Sequence, residues 1–70
     1  MRREIAEAMM RHALAQGPDM NQLSQLSEQL EGEERTHVRK LIGEIMAANA
    51  HLVLTISREH PDLDPDRGLP

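Results

Sequence analysis

Residues 33–60 decide the fold that this sequence predicts, and they read EERTHVRKLIGEIMAANAHLVLTISREH. The stretch contains no proline and has Gly43 as its only glycine, so nothing breaks a helix before Pro61. Glu33 and Glu34 stand at its start, where carboxylates suit the positive end of a helix dipole. The pattern predicts one long helix over 33–60, about 42 Å in length at 1.5 Å per residue.

The apolar residues of this segment follow a heptad pattern with one asparagine in it. An asparagine at a core position of a coiled coil costs stability but sets the register and the number of partners. Much of the remaining helix surface is also apolar, which is typical of a helix that is buried nearly all round. We therefore expect a coiled-coil interface with a second chain. The predicted interface residues are Val38, Ile42, Ile45, Asn49, Leu52, Val53 and Ile56.

A first short helix is predicted over 3–16. Apolar residues recur there every four positions, which gives one apolar face. Gly17 and Pro18 follow, and this pair is typical of a helix end. His12 lies beside the apolar face, where a histidine at the edge of the core is the simplest interpretation.

A second short helix is predicted over 20–31. Asp19 is a suitable N-cap, and Gly32 marks the end of the segment. An alternative is that Gly32 is only a kink, so that 20–31 and 33–60 form one bent helix. The helix propensity of glycine does not decide between the two.

The predicted fold class is all-α. Two short helices and one long helix form a small bundle over 1–60, which homodimerisation completes. The competing architecture is a monomeric three-helix bundle. Residues 61–70 contain three prolines and three aspartates, so we expect a flexible C-terminal tail.

Composition excludes several classes of function. The 70 residues include no cysteine and no aromatic residue, which rules out disulfides, thiolate metal sites and base stacking on an aromatic side chain. The 12 acidic residues outnumber the 8 lysines and arginines, and this balance argues against nucleic-acid binding. No apolar run is long enough to cross a bilayer or to serve as a signal peptide, so we expect a cytoplasmic protein without a membrane association.

Two weaker alternatives come from charged side chains. Glu34 and His37 form a Glu-x-x-His pair, and two such pairs occur in di-iron helical bundles, so a homodimer would supply the second pair by symmetry. A basic group in the same segment would serve a nucleic-acid-associated dimer. Its residues are Arg35, Arg39 and Lys40.

No catalytic residues, resident metal or cofactor are predicted, because the sequence has no nucleophile motif and no phosphate-binding glycine loop. The leading hypothesis is a non-enzymatic helical protein–protein interaction module that is itself a homodimer. Regulators, adaptors, chaperones and inhibitors can all be built in this way. The alternative hypothesis is the metal-binding bundle that uses Glu34 and His37.

Overall fold

The protein is a hairpin of two long helices. The computed structural model describes residues 1–65, and within that range it contains helix α1 at Arg3–Ser27, helix α2 at Gly32–Glu59 and a short 3₁₀ turn at Pro61–Leu63. Every element in the described range is helical, which confirms the all-α class. Two long helices replace the predicted two short helices and one long helix.

The predicted break at Gly17 and Pro18 is wrong, because α1 runs through both residues without interruption. A proline inside a helix removes one backbone N–H, here the donor to the carbonyl of Leu14, at a cost of about 3 kcal/mol. Packing on α2 offsets this cost. The amide Nδ2 of Asn49 on α2 donates a hydrogen bond of 3.1 Å to the carbonyl of Ala13, five residues before the proline and next to Leu14.

The connection between the helices is a true break. Helix α1 ends at Ser27, earlier than the predicted 20–31 segment. Gly32 has φ of 61°, a left-handed conformation that glycine adopts at little cost. This residue therefore turns the chain, and the alternative of one bent helix is wrong. Helix α2 begins and ends within one residue of the predicted 33–60 bounds.

The two helices run antiparallel. The amino group of Met1 lies 2.6 Å from a carboxylate oxygen of Glu59, so the start of α1 is next to the end of α2. The core of the hairpin is small. Its main cluster consists of Ala6, Met10 and Ile56, with Val53 and Leu63 packed against them, and Ala13 and Ile42 are also buried.

Residues 61–63 belong to the predicted C-terminal tail, and they form a 3₁₀ turn that packs on this core. Leu63 packs on the buried cluster, and Arg3 forms an ion pair with Asp62. The Nε2 atom of His60 lies 3.1 Å from the carbonyl of Met1. The core is small, so the apolar area that Leu63 buries against it is a useful contribution to stability. Burial of this side chain stabilises the turn. Residues 66–70 of the predicted tail lie outside the described residues.

Candidate interaction surface

One broad side of the hairpin carries an open groove between α1 and α2. Its volume is about 590 Å³. Seven of its ten lining residues are apolar, and we call this feature the apolar groove. The lining residues are Ala8, Met9, His12, Ala13, Gln16, Met20, Ile45, Ala48, Asn49 and Leu52.

Helical spacing explains why these side chains share one side. In α2, Ile45, Ala48 and Leu52 are separated by three and four residues, so they form one row. The lining of α1 repeats at the same intervals. The large lining side chains remain in solvent: Ile45 is 48% exposed and Leu52 is 37% exposed.

The apolar groove carries three polar side chains. Asn49 donates its hydrogen bond to the Ala13 carbonyl of its own chain, which fixes the amide at the boundary between the two helices. Gln16 and His12 complete the polar set, and both are exposed. His12 is the only histidine in the lining, which contains no acidic side chain, lysine or arginine.

The seven residues predicted for the interface divide between two surfaces. Ile42 and Ile56 are buried inside the single chain, because the heptad seam of α2 packs on α1. Val38 and Val53 are half-buried on the same side, and the half-buried Asn49 lies where this side meets the apolar groove. Ile45 and Leu52 alone are exposed, and both line the apolar groove.

The contribution of α1 to this surface was missing from the sequence prediction. Met9, Ala13, Gln16 and Met20 are spaced by four, three and four residues, which is the spacing of one helix face. The spacing continues across Pro18. A helix that ends before Pro18 does not contain Met20, so the predicted helix over 3–16 could not show this face.

Ion pairs join the start of α1 to the end of α2 and to the 3₁₀ turn. Arg3 pairs with Glu7 at 2.9 Å and also with Asp62, and the hydrogen bond to Asp62 is the main reason that the pKa of Arg3 is raised. The hydrogen bond from the Met1 amino group lowers the pKa of Glu59. All of these groups are exposed, so each pair contributes little by itself.

The alternative sites gain no further residues from the fold. Within residues 1–65, no three histidine, aspartate or glutamate side chains come close enough together to hold a metal ion, so Glu34 and His37 have no third donor in the single chain. Arg39 is directed towards α1, with Glu28 at 3.8 Å and the Ser27 hydroxyl at 3.4 Å. In the described part of the chain, neither helix combines the length and apolar character needed to cross a bilayer.

These features define an all-α helical hairpin with an uncovered apolar groove. Comparison with models of protein families, with curated protein sequences and with solved structures gives no match to this chain. The interpretation of function therefore depends on the chemistry of the apolar groove.

Proposed function

We propose that this protein is a non-enzymatic protein–protein interaction module that associates with a second copy of itself through the apolar groove. Two hairpins joined in this way form a four-helix bundle, a stable arrangement for amphipathic helices. The observation that carries the proposal is the apolar groove itself, which lies open between the two helices.

The balance of buried and exposed apolar residues supports this proposal. Only five hydrophobic residues are buried among those that the structure describes, whereas ten large hydrophobic side chains are exposed. Large apolar areas left in solvent mark interaction sites. The exposed side chains are Met1, Ile5, Met9, Leu14, Leu26, Leu41, Ile45, Met46, Leu52 and Leu54.

The surface area of the chain has the right size for a dimer. The chain exposes 5452 Å². A folded monomer of this mass exposes roughly 4400 Å², so the excess is roughly 1000 Å². A standard protein interface buries about 800 Å² on each partner. A dimer interface of standard size would remove an excess of this magnitude.

The charge distribution favours a second copy as the occupant. A two-fold dimer places the same patch on both partners, so a charged patch would repel itself. The lining of the apolar groove contains no lysine, arginine, aspartate or glutamate, although the chain as a whole has a net charge of −4. The apolar groove can therefore face its own copy without bringing like charges together.

The test is the mass in solution of the full chain and of two matched variants. Ile45 lines the apolar groove and is 48% exposed, while Leu54 lies on the same helix outside the lining and is 49% exposed. We expect twice the chain mass of 7.9 kDa for wild type by sedimentation equilibrium at tens of micromolar. Ile45→Glu should lower the mass to that of one chain, and Leu54→Glu should leave the dimer intact.

Circular dichroism separates dissociation from unfolding in these variants. If Ile45→Glu loses its helices, the melting temperature of wild type at several protein concentrations shows whether the chain is a dimer. A dimer melts at a higher temperature when it is more concentrated. A wild-type mass of one chain would refute the proposal, as would two variants that both remain dimeric. Near-stoichiometric iron, manganese or zinc in the purified protein would favour the metal-binding alternative.

A further inference from the structure

We infer that pH controls this dimer through His12: the two copies associate when the imidazole is neutral and separate when it is protonated. The inference rests on the proposed homodimer and adds a regulatory property to the same surface. It follows from the position of one titratable side chain in a lining that is otherwise uncharged.

His12 has no charged neighbour in the apolar groove. One turn away on α1, the lining consists of Ala8 and Gln16, and across the groove α2 contributes apolar side chains and the amide of Asn49. The 3₁₀ turn contributes nothing to the lining. The charged residues next to lining positions in sequence are exposed and do not line the groove. They are Glu7, Arg11 and Asp19 on α1 and Glu44 and His51 on α2.

A second copy would therefore remove His12 from water without giving it a counter-ion. The facing surface is the same lining, whose polar side chains are two amides and a second His12, and none of them is acidic. Glutamine and asparagine amides can hydrogen-bond to a neutral imidazole. Burial of an imidazolium without an acidic partner is costly, so the dimer favours the neutral form.

Two-fold symmetry doubles this effect. Each dimer contains two His12 side chains, and both must be neutral for the interface to close. Histidine changes charge between about pH 5 and pH 8. At the acid end of this range association releases two protons, so the dimer Kd rises by up to about 100-fold per pH unit as the pH falls.

The experiment measures the dimer Kd of the full chain by sedimentation at pH 7.5 and at pH 5.5, with helix content followed at 222 nm. We expect the wild-type Kd to rise by at least about 10-fold at the lower pH. His12→Gln should have nearly the same Kd at both values, because the glutamine amide is uncharged. His51→Gln is the matched control, since His51 is exposed outside the lining, and it should behave as wild type does.

The possible failures can be told apart. A wild-type chain that is monomeric at pH 7.5 refutes the proposed homodimer. A wild-type dimer with the same Kd at both pH values leaves the homodimer standing and overturns the role of His12. The role of His12 is also overturned if the dimer Kd of His12→Gln rises at pH 5.5 as that of wild type does. Loss of helix content in His12→Gln at pH 5.5, as in wild type, overturns it too. Tighter association at pH 5.5 overturns it as well, because a carboxylate of the second copy must then face the imidazolium.

Discussion

Replacing Ser57 with alanine should make the protein more stable. Ser57 lies in α2 and is only 8% exposed, and its Oγ atom is buried with no hydrogen-bond partner. A buried polar group without a partner costs about 1–3 kcal/mol. Alanine removes that group and keeps the Cβ atom in place. We expect Ser57→Ala to raise the free energy of unfolding by about 1 kcal/mol, at the low end of that range because a small space opens.

Ser27 offers a matched control at the end of α1. It is 3% exposed, but its hydroxyl donates a hydrogen bond of 2.6 Å to the carbonyl of Ser24 and accepts one of 3.4 Å from Arg39. Removing a satisfied hydrogen bond costs about 0.5–1.5 kcal/mol. Ser27→Ala should therefore lower the free energy of unfolding. Alanine favours the helix in both variants, so the difference between them reports mainly the hydrogen bonding.

Urea unfolding followed at 222 nm measures both variants. All samples should have the same protein concentration, because self-association adds to the apparent stability. Neither Ser57 nor Ser27 lines the apolar groove, so both variants should keep the mass of wild type. For a domain of this size, 1 kcal/mol corresponds to a shift of about 4–8 °C in Tm.

A lower urea midpoint for Ser57→Ala than for wild type would contradict this prediction. Midpoints that shift in the same direction by the same amount in the two variants would contradict it as well. Either result would mean that the Ser57 hydroxyl has a partner. The slope of the transition should stay unchanged, because neither substitution alters the surface exposed on unfolding.

Two further predictions concern the elements that the structure placed differently from the sequence. Pro18→Ala restores the missing N–H opposite the carbonyl of Leu14, so it should raise the free energy of unfolding by up to about 3 kcal/mol at unchanged helix content. An unchanged or lower urea midpoint would show that α1 needs the proline. Leu63→Ala should lower the free energy of unfolding by about 1 kcal/mol, because the side chain is half-buried on the core. Leu26→Ala, at a site that is 58% exposed, should change the free energy by less than about 0.5 kcal/mol, and equal effects of the two substitutions would mean that Leu63 does not pack.

Helix α2 shows how much of the fold could be predicted from the sequence. Its bounds differ by one residue at each end from the predicted 33–60. Between Gly32 and Pro61 the sequence has no proline, and such local signals determine where a helix begins and ends. The buried positions Ile42 and Ile56 belong to the predicted heptad seam, so the pattern also identified the face of α2 that is buried.

The candidate site was predicted only in part. Ile45, Asn49 and Leu52 were predicted as interface residues and do line the apolar groove. The pattern could not tell that α1 of the same chain covers the rest of the seam. Periodicity shows which side of a helix is apolar, but it does not show which neighbour covers that side.

The sequence by itself determined that the chain is helical, where α2 lies and that apolar surface exceeds what a small bundle can bury. Tertiary structure alone decided that α1 continues through Pro18, that Leu63 joins the core and that Asn49 bonds to Ala13 of its own chain. The reason is the range of the forces involved. Helix propensity and apolar periodicity act between residues a few positions apart. The interactions that offset a proline or order a short turn come from residues distant in sequence, and only the packed helices bring them together.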